Sequence, residues 1–313
     1  MTMHTHTIHC RHHHFGWDCS NVPVHTIAPG ETLTLDTVDS SGGQLNTSST
    51  ADDLAKLDFA KVNPVTGPVF VDGAKPGDAL KVTLLGFEPL GWGWTGLIPG
   101  FGLLADQFKE PALHIWSYDR TSSAPLAFGK LAGIPLRPFA GTLGVAPAAP
   151  GPHSVVPPRR VGGNMDFRDL TLGSEILLPI ECEGALFSLG DTHAAQGDGE
   201  VCGTAIESQM NVTVKLELVK DTPIVFPRAF IPAASARPVD AKGYDVTTGI
   251  GPDLMDGARA AVSAMVELLA ARHHIAPGEA YMLCSVAGDL RISEIVDMPN
   301  WIVSFHMPRG IFD

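Results

Sequence analysis

The sequence has almost no clustered basic charge. Beyond Arg159-Arg160 no run of Lys or Arg offsets a formal net charge of −13, from 21 basic and 34 acidic residues. Such a chain repels phosphate backbones and anionic headgroups, which excludes nucleic acid and the membrane surface as partners. No apolar run approaches the roughly 20 residues that span a bilayer. Met1 to His14 is mostly His and Thr and lacks the apolar core of a secretion signal. The 5 cysteines, Cys10, Cys19, Cys182, Cys202 and Cys284, contain no Cys-x-x-Cys pair. Their scatter and odd number argue against a disulfide framework and for a reducing cytoplasm. Also missing are the Gly-x-Ser-x-Gly elbow, the His-Glu-x-x-His helix and the Gly-x-x-x-x-Gly-Lys-Ser/Thr phosphate loop, so the common serine hydrolase, zincin and nucleotide signatures do not apply.

What remains is a chain of 313 residues, 44% apolar and only 18% charged, punctuated by 33 Gly and 25 Pro. That composition reads as strand-rich with many turns. Ala28-Pro29-Gly30-Glu31 and Lys75-Pro76-Gly77-Asp78 each open an alternating strand pattern, and 173–179, 185–189 and 213–218 read as further strands. Helical spacing is clearest over 253–272, and Pro277-Gly278-Glu279 opens a second helix that Gly288 ends. The expectation is a mainly β architecture, sandwich- or barrel-like, with a few helices, in one domain over 1–313, divisible at most into 1–150 and 151–313. The His-rich start reads either as a disordered, metal-scavenging tail or as an inert one of which only His14 to Trp17 packs onto the body.

The chemistry concentrates in one stretch. Between Gly190 and Glu207 lie Asp191, His193, Asp198, Glu200, Cys202 and Glu207, with Gly190, Gly197, Gly199 and Gly203 between them. Burying so many charges without partners is costly, so they read as a site, with a solvated acidic hairpin as the alternative. Asp191 and His193, two apart on a strand, face one way, as do Asn164 and Asp166 in the turn Gly162-Gly163-Asn164-Met165-Asp166. Asp166, Asp191 and His193 supply two carboxylates and an imidazole, the composition of a catalytic zinc site with an open position. A divalent metal there, with zinc expected, would polarise a carbonyl and lower the pKa of water to about 7. Glu200 is placed as the proton shuttle. Asn164 and the N–H groups near Gly197 and Gly199 are expected to hold an oxyanion, and Trp94 to wall the acyl side. Two rivals stay open: Cys202 as a thiolate nucleophile, and a non-enzymatic β-rich module that binds a metal or small ligand.

The stretch Gly190 to Glu207 closely resembles the acetamidase/formamidase family, whose members carry a Gly-Asp-x-His-Ala-Ala-Gln-Gly-Asp-Gly-Glu run. Residues 162–166, 138–147 and 284–292 are similar to three further blocks of that family, so the resemblance covers nearly the whole chain. It implies hydrolysis of the C–N bond of a short linear amide to carboxylate and ammonia. It also implies a mostly β fold with strands from both halves of the chain around the site, a bound divalent metal, and a homo-oligomer.

Overall fold

The computed structural model describes residues 5–121, 124–232, 238–295 and 298–312. Among the described residues the fold is mainly β with three α-helices, α1 (Ala51–Leu54), α2 (Leu254–His273) and α3 (Pro277–Ala287). One six-stranded sheet runs Thr5–Ile8, Thr32–Asp36, Met210–Val219, Ala79–Pro89, Glu175–Pro179, Arg228–Phe230. A second joins Gly162–Asn164, Phe139–Gly144, Phe187–His193, Val65–Val71 and His13–His14, with His25–Ile27 also on the Val65–Val71 strand. Alternation sends Leu33, Leu35, Val82 and Leu84 of the first sheet, and Val69, Leu143 and Leu189 of the second, into one shared core, all fully buried. Both sheets mix strands from either side of residue 150.

Three strands, Tyr244–Gly251, Trp301–Pro308 and Asp289–Glu294, form a smaller antiparallel sheet. Helix α2 lays Ala261, Val262, Met265 and Leu269 into the core. Asp253 caps it by accepting from the N–H groups of Met255 and Asp256, and His274 ends it in the left-handed region. Helix α3 starts on Pro277, while the Glu279 carboxylate accepts from the N–H of Ala276 at 2.9 Å. Arg291 to Met298 reads from its sequence as a closing strand; the strand observed is Asp289–Glu294, and residues 296–297 lie outside the described residues.

Two expectations are corrected here. The His-rich start packs from much further upstream than His14: Thr5–Ile8 pairs parallel with Thr32–Asp36, and His9 meets Asp36 at 2.9 Å. Edge pairing there follows from strand propensity across Thr5 to Ile8, which the histidines mask. Cys19 and Cys182 are joined in a disulfide across 163 residues of sequence. Spacing could not show that pair, because it is made by segments that only the folded chain brings together.

Candidate active site

The strand Phe187–His193 carries the centre of the site at its end. Asp191 and His193 do share a face, with His193 Nε2 3.2 Å from Asp191 Oδ1. The neighbouring turn delivers Asn164 and Asp166 to the same place. Asn164 Nδ2 donates to Asp166 Oδ2 at 3.0 Å, and Thr142 Oγ1 donates to Asn164 Oδ1 at 2.6 Å and to Asp191 Oδ2 at 3.1 Å. Asn63 Nδ2 adds a 3.1 Å hydrogen bond to Asp191 Oδ2. Ligand atoms of Asp166, Asp191 and His193 all lie within 4.8 Å of one another, and so do those of His193, Glu200 and Glu207.

Three of the acids sit on left-handed backbone, Asp166 at φ 46°, Asp191 at 51° and Glu200 at 42°. Each such non-glycine residue costs on the order of 1–3 kcal/mol and persists only where its surroundings hold it. Opposite Asp191 the adjacent strand has Gly141. A Cβ there would stand 2.5 Å from Asp166 Oδ1 and 2.8 Å from His193 Cε1, so only glycine leaves room for the cluster.

Glu207 belongs to the centre although the sequence reading gave it no role. Its backbone bridges Trp94 on one side and His193 on the other. Oε1 accepts the Ala205 N–H at 2.8 Å, and Oε2 stands 3.1 Å from His193 Nε2. Gln196 was missed in the same way. Its Nε2 donates to the Asp166 carbonyl at 2.9 Å, which turns its Oε1 to His193 Nδ1 at 2.9 Å. Nδ1–H is then the donor, and Nε2 of a neutral His193 presents its lone pair to Asp191 and Glu207. Three acceptors facing one another need a proton or a cation at their centre. The only sequence signal for Glu207 and Gln196 was their place in the acid-rich run.

Charge in the cluster is badly balanced. Burial raises the Asp166 carboxyl to about 7, with the Asp191 charge adding to it. Desolvation first, and then Asp166, hold the Glu200 carboxyl well above its ordinary range. Burial alone would depress His193, but Glu207 and Asp191 outweigh it and raise the imidazole well above its usual value. Asp166 Oδ1 is buried without a hydrogen-bond partner among the described residues, and Glu207 Oε2 has only the His193 ring beside it. Two carboxylates, one imidazole and unpartnered oxygens form an O/N donor set that fits a divalent cation.

Part of the cluster, Asn164, Asp191, Glu200 and Glu207, lines a cavity of about 240 Å³ together with Asn63 and Trp94, while Asp166 and His193 stand behind that lining. Trp94 is fixed there by its indole N–H, which donates to Asp39 Oδ1 at 3.1 Å. Gly197 and Gly199 do not line the cavity; Gly203 does. The N–H of Gly197 donates to the Ser285 carbonyl at 2.8 Å, so it is spent on packing against α3, contrary to the expectation of an oxyanion contact. Gly199 backs onto the Leu290 side chain. Asp198 is drawn away to Arg168 at 2.7 Å. The Cys202 sulfur is fully buried beside Thr204 and the Gly96 carbonyl, and burial raises its thiol further. It lies off the cavity lining, which removes the basis for a thiolate nucleophile.

A family model described as Acetamidase/Formamidase family matches residues 2–155 and 148–313. The chain is 27% identical to a formamidase of Methylophilus methylotrophus, over 96% of this chain and 89% of that one. It is 28% identical to an acetamidase of Mycolicibacterium smegmatis, over 66% of each. Among solved structures it is similar to a gamma lactamase from Delftia acidovorans, with a TM-score of 0.89 at 26% identity, covering 96% of this chain and 90% of that one.

Proposed function

The chain belongs to the acetamidase/formamidase family, and from that premise we propose that this amidohydrolase cleaves the C–N bond of a small, neutral, linear amide to carboxylate and ammonia, using water as the nucleophile. The observation that carries the reading is the meeting of two distant glycine-flanked turns, Asn164–Asp166 and Asp191–His193, beside one cavity that Asn164 and Asp191 line. Asp166, Asp191 and His193 would hold a divalent cation, with zinc favoured by the mixed O/N set, which when bound supplies Lewis-acid polarisation of the carbonyl and a more acidic water. Glu200 stands against Asp166 and faces the cavity, placed to take a proton from water and return it to the departing nitrogen. Asn164 holds the substrate through its amide, Gln196 fixes the His193 tautomer, and Glu207 holds the imidazole from its second side.

Ammonia release from formamide, acetamide and their homologues is the direct assay. Glu200→Gln is expected to lower kcat by about 10²–10⁴-fold, with the melting temperature little changed; a variant near wild-type rate removes Glu200 from the mechanism. Exhaustive chelation is expected to abolish turnover and re-addition of zinc to restore it. Full activity after metal removal, checked by elemental analysis, overturns the cation assignment.

A further inference from the structure

The chemistry at the floor of the cavity differs from that of its walls. Among the described residues, every charged side chain in the lining is an acid of the cluster, Asp191, Glu200 or Glu207. Above them the walls are Leu57, Val62, Ile98 and Val156, with Phe59 and Phe101 at the rim. Those two rings meet edge-on with centroids 6.5 Å apart, yet they are 52% and 42% exposed. Exposed aromatic pairs over a polar floor have no folding role to account for them, and they mark a surface that contacts something apolar.

The rim is also built to stay where it is. Phe101 lies directly on Gly203, where a Cβ would come within 2.5 Å of its ring, so the glycine is what lets the ring sit down against the site. Phe59 and Leu57 arrive from the excursion between Ser40 and Asn63, which a Gln44 amide pins by accepting from the Asp58 N–H at 2.8 Å. A volume of about 240 Å³ is many times the ~10–15 Å³ that one enclosed water needs, so formamide would fill only a small fraction of it. Among the described residues the lining holds no Lys or Arg to pair with an anionic substituent.

We infer that the site selects neutral amides whose acyl part is an apolar chain or ring of several carbons, with Leu57, Phe59 and Phe101 as the specificity-determining wall. This rests on the hydrolase reading above and names its substrate class. The acyl group lies along the Leu57–Phe59–Phe101 side while the carboxamide reaches Asn164 and the acids. Each methylene that enters this wall is worth about a fourfold gain in kcat/KM.

The test is a series of amides, acetamide, butyramide, hexanamide and benzamide, with succinamate as the anionic member, scored by ammonia release. The expected result is kcat/KM rising about fourfold per methylene up to hexanamide, with benzamide among the good substrates and succinamate poor. Phe59→Ser and Phe101→Ser should flatten the slope, costing hexanamide about tenfold more than acetamide. A flat or falling series, or a slope that survives both substitutions, overturns the inference. Ammonia from none of the amides instead sinks the hydrolase reading. In that event calorimetric binding of hexanamide against acetamide decides the wall separately: tighter hexanamide, weakened by Phe101→Ser, supports it, and equal affinities overturn it.

Discussion

At the scale of single residues, the site is a problem of room and charge. Four carboxylates crowd one imidazole, and the backbone opposite them can carry no side chain. Gly141 itself has ordinary extended backbone, so an alanine there meets no conformational penalty; its Cβ would press on the Asp166 and His193 side chains and stand 3.0 Å from the Asp191 carbonyl oxygen. Gly141→Ala is therefore expected to fold and to melt within a few degrees of wild type, while kcat/KM for the best amide falls by about 10²-fold or more, since misplacing a reacting group by 1 Å costs that much. Kinetics and a thermal melt on the same sample check this; wild-type kcat/KM would show that the cluster tolerates displacement. Asp166, Asp191, His193 and Glu200 were legible from the sequence because their types and two-residue spacing leave few other uses. Gly141, Gln196 and Glu207 were not, since a glycine that makes space and a glutamine that sets a tautomer look like any other residue until their neighbours are in place.

At the scale of elements, the repeated Pro-Gly-acid opening turns out to be a turn with its own lock. Glu31 Oε2 accepts the N–H of Ala28 at 2.9 Å, and Asp78 Oδ2 accepts that of Lys75 at 3.1 Å, each closing a turn over three residues before a central strand. Asp78 also receives the Lys220 ammonium at 2.7 Å and the Asp221 N–H at 3.0 Å. Burial opposes its charge, but these donors outweigh burial and hold its carboxyl below the usual range. A depressed carboxyl stabilises the fold above its unfolded pKa, and that share is lost as the pH falls through the lowered folded value. Asp78→Asn should thus cost about 1 kcal/mol at pH 7, with the gap to wild type closing in acid below the ordinary aspartate pKa. Urea midpoints across that range measure it; a gap independent of pH would assign the loss to the turn's shape instead of its charge. The helices at 254–273 and 277–287 follow from apolar spacing and caps, which act locally and so are visible in the sequence.

At the scale of the whole molecule, the small sheet leaves an open question of contact. Its Tyr244–Gly251 strand turns Thr247 toward α2, where Thr247 Oγ1 donates to the Ala261 carbonyl at 2.6 Å. The alternate residues Val246 and Ile250 are 47% and 65% exposed. Apolar residues on the outer face of a sheet are disfavoured in a lone chain, so we propose that this face is buried in a homo-oligomer. Light scattering on the wild type should give a multiple of the 33.1 kDa chain, and the pair Val246→Lys with Ile250→Lys should lower that mass. A wild-type mass of one chain ends the proposal. Among the described residues no helix is long and apolar enough to cross a membrane.

The sequence by itself determined the strand-rich class, the two caps-and-spacing helices, the family, and the types of group available for chemistry, because alternation, helical period and short motifs are local and survive without coordinates. The tertiary structure alone decided which of those groups meet. It brought 164–166 against 191–193 through strands paired across the chain, sent Gly197 and Cys202 into packing, recruited Glu207 through its bridge to Trp94, and joined Cys19 to Cys182. Strand pairing sets distances between residues that may be neighbours in space while far apart in the chain, and no local pattern carries that information.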